Sequence, residues 1–489
     1  MGIKDSHALA LQDWMGTADF GRDEDYWPRQ WAEAYVDFAA GEKREWLHEQ
    51  GVRFFPMVGW AERGGYGAIG HGNSVPRFHI TWGTGPGVVA PFERRARAGV
   101  DAGLAELRFR HQVDELIVED GAAVGVRGTL LQPDSAPRGA ASNRSASGEF
   151  EIRAQAVIVT SGGIGGNHDL VRSYWPSRLG TPPTSMVAGV PAHVDGRMRE
   201  QVAAQGAHLI NADRMWHYVE GIKDWEPKWE NHGIRILPGP SSLWFDASGN
   251  RLPVPLFPGF DTLGTLAHLR QTGHDHSWFI LTQKIIEKEF ALSGSEKNPD
   301  LTGKDIKLTL KRIGSGAPGP VEDFKEHGSD FVVAETLDEL LAGMQALDGG
   351  ELLDVARVRQ EVLARDREMD NDFTKDLQIA ALRSARSYRG DKLGRVATPH
   401  KLTDPKAGPL IAVRLHVLTR KTLGGLETNV DAAVMRADGT VFDGLYAAGE
   451  VAGFGGGGVH GNRALEGSFL GGCIFSGRTA GRAASRGIQ

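Results

Sequence analysis

The chain has 489 residues, 40% hydrophobic and 24% charged, a globular composition too long for one core, so we expect at least two domains. Its formal net charge of −7 disfavours a general nucleic-acid binder, and no nucleic-acid partner is predicted. The single cysteine, Cys473, excludes an intrachain disulfide and a cysteine-based metal or iron–sulfur site.

Two features of the sequence bear on its location in the cell. No run of about 18 apolar residues occurs, so no membrane span is predicted. The opening residues lack the basic start and apolar core of a secretory signal, so we expect a cytoplasmic protein.

The first 185 residues predict helices, then strands, then a glycine turn. Residues 23–49 carry apolar side chains at helical spacing and predict one or two surface-packed helices. Residues 84–105 predict another helix, and the Asp-Gly pair inside LRFRHQVDELIVEDGAAVGVRGTLL predicts a β-hairpin. The small, polar residues 133–148 predict a surface loop, after which AVIVTSGGIGGN (156–167) predicts a strand that runs into glycines.

Residues 186–400 differ in character, because they combine helical segments with Pro-rich loops and scattered His and Trp residues. We interpret them as a second domain inserted into the first, which resumes over residues 401–489. The motif His274-Asp275-His276 has the look of a chelating pair, but such surface pairs more often bind nothing. No metal site is therefore predicted.

Two strand–glycine stretches share one pattern: AVIVTSGGIGGN (156–167) and LYAAGEVAGFGGGG (445–458). In each, an apolar strand runs directly into small residues that let another group lie against the backbone. In an open α/β sheet, nucleotides bind in the crevice at the carboxyl ends of the strands. A plain strand–turn–helix connection is the alternative for either stretch alone, and the two together favour a nucleotide site.

The C-terminal segment NRALEGSFLGGCIFSGRTAG adds a helix to this pattern. Residues 468–481 predict a helix, with Glu466-Gly467-Ser468 at its start. The positive end of a helix stabilises negative charge on a ring placed against it. Glu450 follows a strand, where an acid can hold ribose hydroxyls.

These segments together resemble the flavoprotein superfamily of fumarate reductases, succinate dehydrogenases, aspartate oxidases and ketosteroid dehydrogenases. The closest likeness is to bacterial FAD-binding dehydrogenases grouped with the ketosteroid dehydrogenases. The resemblance implies FAD as the cofactor, with contacts from the hairpin, both glycine turns and the start of the last helix. The residues so implied are Gln112, Val113, Thr160, Ser161, Gly162, Gly163, Gly424, Gly449, Glu450, Gly467, Ser468, Phe469 and Leu470.

The resemblance also implies the fold: α/β, with a Rossmann-like FAD-binding domain and an inserted α+β cap that binds substrate. The domains are then residues 1–185 and 401–489 for FAD and residues 186–400 for the cap. The family's leading strand, G-x-G-x-x-G turn and helix, which bind the pyrophosphate, have no counterpart in this sequence. The FAD-binding domain is therefore expected to lack that unit at its N-terminus.

The catalytic positions of the family are only partly present. Gly259 or Phe260 stands where fumarate reductases have their proton-donating arginine, and Lys421 stands where they have a second histidine. His217 matches their substrate histidine, whereas Arg463 lies at about the place of a ketosteroid dehydrogenase tyrosine. Neither catalytic set is intact, so the identity of the substrate cannot be inferred from either group of enzymes.

Arg463 and His460 are catalytic candidates because they precede the last helix. Arg463 suits a carbonyl or carboxylate, and its alternative role is an ion pair with Glu450 or Glu466. The alternative role of His460 is to support the turn.

Four further candidates come from two other segments. Arg420 and Lys421 precede a Gly-Gly turn, and we expect one to face the flavin and the other solvent. Tyr218 or His217 could move a proton, the alternative being ordinary core packing.

The sequence therefore predicts an FAD-dependent oxidoreductase that acts on a C–C bond beside a carbonyl, in the manner of a ketosteroid dehydrogenase. Its predicted partners are a small, apolar substrate and an external electron acceptor or donor. One alternative is a fumarate reductase-like reductase of a small dicarboxylate. Another is a truncated, flavin-free remnant without catalysis.

Overall fold

The structure is a computed structural model that describes residues 3–64, 72–137, 140–311, 316–350, 352–463 and 467–487. Within these ranges no helix combines the length and the apolar character that crossing a bilayer requires. No cluster of His, Cys, Asp and Glu in the same ranges has the arrangement of a metal site, and His276 instead contacts Asp348 at 3.1 Å.

The described N-terminal part contains five α-helices, a two-stranded sheet, a three-stranded meander and the strand β6. The elements are α1 (His7–Ala18), α2 (Tyr26–Ala40), α3 (Lys43–Gln50), β1 (Phe54–Gly59), β2 (Phe78–Thr81), α4 (Thr84–Asp101), β3 (His111–Glu119), β4 (Ala122–Leu131), β5 (Ala146–Arg153), β6 (Val157–Val159) and α5 (His168–Ser173). The hairpin turns at Asp120 and Gly121, both with positive φ, which confirms the prediction from the Asp-Gly pair. The predicted loop 133–148 ends early, because β5 begins at Ala146 and pairs with β4.

The middle part contains the largest sheet and most of the helices. Its elements are β7 (Val187–Ala188), α6 (Arg197–Ala204), β8 (Leu209–Ile210), β9 (Met215–Lys223), β10 (Gly233–Leu237), β11 (Leu243–Asp246), α7 (Thr262–Gln271), β12 (His276–Thr282), α8 (Gln283–Glu289), β13 (Ala291–Leu292), α9 (Pro299–Thr302), α10 (Ile306–Lys311), α11 (Gly319–His327), β14 (Phe331–Ala334), α12 (Leu337–Asp348), α13 (Val355–Met369), α14 (Leu377–Ala385) and α15 (Arg389–Gly394). A short 3-10 helix, Ser177–Leu179, precedes β7.

The C-terminal part contributes a long strand, three shorter strands and the last helix. These elements are β15 (Leu410–Thr422), β16 (Gly425–Leu426), β17 (Ala433–Met435), β18 (Val441–Ala447) and α16 (Phe469–Gly487). The predicted helix 468–481 is thus confirmed and extends to Gly487, whereas Glu466, expected at its start, lies outside the described residues.

Strand β15 joins the C-terminal part to the large sheet. The sheet has eight strands in the order β11-β12-β15-β9-β10-β13, with β14 and β7 also pairing with β15. Residues 410–422 thus lie at the centre of a sheet whose other strands come from residues 186–400. Trp278 and Phe279 on β12 are fully buried, so the core of this part lies against the sheet.

A second, three-stranded sheet brings the two glycine stretches together. Its order is β17-β18-β6, and β18 runs parallel to β6 with Leu445 opposite Val157. Parallel pairing places the carboxyl ends of both strands at one edge. The glycine turns that follow the two strands therefore meet there.

Candidate active site

The two glycine turns touch at the edge of the three-stranded sheet. The amide of Ala448 donates to the carbonyl of Val159 at 3.0 Å. A Cβ added at Gly163 would lie 2.2 Å from Oε1 of Glu450 and 2.4 Å from Oγ1 of Thr422. Glycine is therefore required at residue 163 for the two turns to close on each other.

Replacing Gly163 with alanine is expected to lower the free energy of unfolding by about 1 to 3 kcal/mol, because the new methyl group overlaps Glu450. Denaturant unfolding followed by circular dichroism measures this. Gly481→Ala is the matched control, since its Cβ meets no atom within 4 Å on α16, and it should stabilise the helix slightly. Equal effects of the two changes would contradict the assigned contact.

The first half of the glycine run 455–458 packs against the protein's own second helix. A Cβ at Gly455 would lie 2.5 Å from the ring of Trp31, and one at Gly456 would lie 2.8 Å from the backbone of Pro28. Helix α2 is thus the group that comes close to the first two glycines, whereas the last two lie against residues 210 and 211. The surface open to a ligand is nearer the strand ends, where Thr160 and Ser161 are exposed.

Glu450 lies deep at this edge with part of its surface accessible. Its Oε1 accepts a hydrogen bond from the amide of Thr422 at 2.8 Å. Burial raises the pKa of Glu450 to about 7, although the Thr422 amide and the charge of Lys421 oppose the shift. The Glu450 carboxyl is therefore able to donate or accept a hydrogen bond near neutral pH.

The remaining residues predicted to bind FAD lie in three other places. Gly162 follows the exposed pair in the first turn, the amide of Gly449 donates to Oγ of Ser476 at 2.9 Å, and Gly424 packs against the backbone of Asn211. Gln112 and Val113 belong to β3 in the separate β3-β4-β5 sheet, where Nε2 of Gln112 donates to Asp114 at 2.9 Å.

The last helix begins beside an aromatic cluster. Ser468 precedes its first residue, and the Ser468 carbonyl accepts the amide of Gly472 at 2.9 Å, as at a helix start. Phe469 is buried, with ring centroids 4.6 Å from His460 and 6.1 Å from Trp216, whereas Leu470 is exposed. Nε2 of His460 lies 2.9 Å from Oγ of Ser468, an arrangement that suits support of the turn.

Lys421 and Tyr218 form a hydrogen-bonded pair next to this cluster. Nζ of Lys421 donates to the Tyr218 hydroxyl at 2.7 Å and lies 3.6 Å from the centroid of the Phe469 ring. Tyr218 is buried, whereas Lys421 is partly exposed. Arg420 is also partly exposed, and its charge lowers the pKa of Glu450. The pair joins a phenol to a cation beside the start of α16.

His217 is enclosed on another side of β9. Its ring stacks on Trp175 with centroids 5.8 Å apart, and its Nε2 lies 3.0 Å from Sδ of Met215. Burial lowers the pKa of His217 to about 3, so the imidazole is neutral near pH 7. An imidazole whose pKa is about 3 is a weak base, and its ring is buried, which leaves Tyr218 as the stronger of the two proton-transfer candidates.

Arg463 forms an ion pair with Asp261, the N-cap residue of α7. Asp261 is buried, which raises its pKa against the opposing charge of Arg463. Of the partners named in the sequence analysis, Glu466 lies outside the described residues.

Two residues next to the candidate side chains were not predicted from the sequence. They are Arg235, which contacts Tyr218, and Trp175, which contacts His217. Arg235 is buried, and its Cζ lies 3.8 Å from the centroid of the Tyr218 ring. A single arginine inside the apolar run IRIL on β10 was the available signal, because a buried charge in a strand needs a reason. Trp175, which stacks on His217, had no comparable signal.

Comparison with known proteins decides the family. The model of the FAD binding domain family matches residues 1–470. The chain belongs to this FAD-binding family. This chain is 64% identical over 490 residues to a KsdD-like steroid dehydrogenase of Mycobacterium tuberculosis. The match covers 100% of this chain and 86% of that protein. The predicted resemblance and FAD as the cofactor are both confirmed.

Two solved structures share the mixed α/β fold of this FAD-binding protein. The 3-ketosteroid delta1-dehydrogenase of Sterolibacterium denitrificans has a TM-score of 0.62 and 16% identity, with 99% of this chain and 90% of that one covered. A flavocytochrome c3 fumarate reductase has a TM-score of 0.60 and 19% identity, with 99% of this chain and 68% of that one covered.

The residues at the strand edge fit part of the FAD molecule. Thr160 and Ser161 offer exposed polar groups at the carboxyl end of β6, and Glu450 offers a partly accessible carboxyl at the end of β18. The start of α16 at Phe469, whose ring contacts Lys421, supplies the first-turn amides and the positive end of a helix. This combination suits the hydroxyls and the electron-poor ring of a flavin.

Proposed function

We propose that this FAD-dependent protein is a dehydrogenase of ketosteroids, which removes hydrogen from the C–C bond beside the ring carbonyl. The observation that carries the proposal is the pair of Lys421 and Tyr218, 2.7 Å apart beside Phe469 at the start of α16. The 64% identity to a steroid dehydrogenase over the whole chain supports the substrate class.

In the proposed site, Tyr218 takes the proton from the carbon next to the carbonyl. The Lys421 ammonium, as its hydrogen-bond donor, stabilises negative charge on the phenolic oxygen. Bound FAD would supply the hydride acceptor, so that loss of a proton to Tyr218 and of a hydride from the neighbouring carbon would form the C=C bond. Phe469 and Trp216, buried with ring centroids 6.1 Å apart, provide the apolar packing behind the pair.

Three other residues are assigned to binding. Arg463, fixed by Asp261, is the proposed hydrogen-bond donor to the carbonyl oxygen. Glu450 and Ser468 are proposed to hold FAD, together with the residues of the first glycine turn. Residues 1–185 and 401–489 form the proposed Rossmann-like FAD-binding domain, with residues 186–400 as the cap, to whose sheet β15 contributes.

Steady-state assays with an artificial electron acceptor test the function. We expect turnover of a 3-ketosteroid, no reduction of fumarate by a reduced dye, and the visible absorption of bound flavin in the purified protein. Fumarate reduction without steroid turnover would favour a dicarboxylate reductase. A folded, colourless protein that takes up no added FAD would favour the flavin-free remnant.

A further inference from the structure

Arg235 lies against the face of the Tyr218 ring. Its Cζ is 3.8 Å from the ring centroid, a close cation–π distance, and the guanidinium is almost completely buried. Nε of Arg235 is 3.8 Å from Oε2 of Glu220. Tyr218 thus has one cation at its hydroxyl, from Lys421, and a second at its ring face.

Two irregularities in the pairing of β9 with β15 bring these three side chains together. Gly221 pairs with His416 and Tyr218 with Leu418, so β9 has one extra residue between these two pairs. Between the pair of Tyr218 with Leu418 and the pair of Trp216 with Lys421, it is β15 that has one extra residue. Side chains alternate along a regular strand, and each extra residue reverses that alternation. Arg235 is paired with Gly221 on the other neighbour, β10. The shifts therefore place all three side chains on one face.

The ionised groups around Tyr218 come from several elements. Lys421 lies on β15, Arg235 on β10 and Glu220 on β9, and the residue of α16 that contacts Lys421 is the uncharged Phe469. At the start of α7, which packs on β9, Asp261 is already paired with Arg463. His217 is neutral. Among the described residues, Lys421 and Arg235 are thus two cations in contact with the phenol, one at its hydroxyl and one at its ring face.

We propose that Arg235 is a positioning residue for proton transfer, which fixes the Tyr218 ring and stabilises the phenolate that accepts the proton. A phenol can take a proton from carbon only after it has lost its own. Lys421 acts at the oxygen, and Arg235 acts through the π-system, onto which the phenolate charge spreads. The inference rests on the proposed function, because it assigns Arg235 through the role of Tyr218.

The first test is Arg235→Met in the FAD-loaded protein, together with Arg235→Met/Glu220→Gln, which removes the partner charge as well. We expect kcat/KM for a 3-ketosteroid to fall about tenfold near neutral pH and to recover as the pH rises. Arg235→Lys, which keeps the charge, should recover part of the loss. Arg153→Met, an exposed arginine on β5, is the matched control and should leave kcat/KM unchanged.

The second readout does not depend on turnover. Ultraviolet difference titration of the phenolate, with Tyr218→Phe as the blank, follows ionisation of Tyr218 directly. In the Arg235→Met variants this transition should move to higher pH by about one unit. An unmoved transition with unchanged pH–rate profiles in both variants would overturn the role of Arg235. Full activity in Tyr218→Phe would instead overturn the assignment of Tyr218 as the base, and with it the role of Arg235, whereas absence of steroid turnover in the parent protein would overturn the proposed function.

Discussion

The Tyr218→Phe variant is expected to turn over a 3-ketosteroid about 10²- to 10³-fold more slowly than the parent protein at saturating substrate, because the group that accepts the proton is lost. The hydroxyl is the only group removed, and it accepts a hydrogen bond from Nζ of Lys421 at 2.7 Å. KM should change little, since the apolar ring surface remains. Initial rates with an artificial electron acceptor over a range of steroid concentrations measure both constants.

The control for this change is Tyr26→Phe, which removes a hydroxyl from an exposed ring on α2 and should leave kcat unchanged. A second measurement separates proton transfer from binding: exchange of the substrate hydrogen beside the carbonyl with deuterated water. Exchange should be lost in Tyr218→Phe. Wild-type kcat and wild-type exchange in this variant would contradict the role of Tyr218.

The Glu450→Gln variant is expected to be more stable than the parent protein above neutral pH, by about 2 to 3 kcal/mol. In the folded protein the pKa of Glu450 is raised from 4.5 to about 7. Between these two values the unfolded chain loses the proton while the folded chain keeps it, so stability falls as the pH rises. The full loss is present above pH 7 and absent below 4.5. Glutamine cannot ionise, and its oxygen can still accept the Thr422 amide.

Chemical unfolding of FAD-free protein at about pH 4, 6 and 8 measures this difference. The two proteins should agree in acid and diverge as the pH rises towards 8. Glu149→Gln on the exposed edge of β5 is the control and should show no such divergence. A constant difference at all three pH values would show that lost contacts, and not ionisation, distinguish the variant.

The sequence predicts the local elements around the site because their signals are short in range. The Asp120-Gly121 pair is sufficient to predict the β3–β4 hairpin, and the apolar strands that end at Val159 and Ala447, just before glycine turns, mark the strand ends that meet. The start of α16 followed from the spacing of small and apolar residues after 467. Each of these depends on a few consecutive residues.

The partners of the site residues could not be predicted, since they depend on pairing between distant strands. Lys421 and Tyr218 are 203 residues apart, and their contact requires shifts in the β9–β15 register that no alternation of apolar residues shows. Asp261 as the partner of Arg463 depends in the same way on where α7 begins. The sequence predicts that the glycines at 455 and 456 contact a ligand, whereas in the structure they contact helix α2. A glycine indicates that some group approaches the backbone closely, but it does not identify that group.

The most direct test of the account is to mix the FAD-loaded protein with a 3-ketosteroid in the absence of oxygen and of any electron acceptor, and to follow the visible absorption of the flavin. We predict that the absorption bleaches at a rate at least as fast as kcat, and that one equivalent of steroid with a new C=C bond forms for each FAD. Flavin that stays oxidised with steroid, yet bleaches with dithionite, would contradict the proposed reaction.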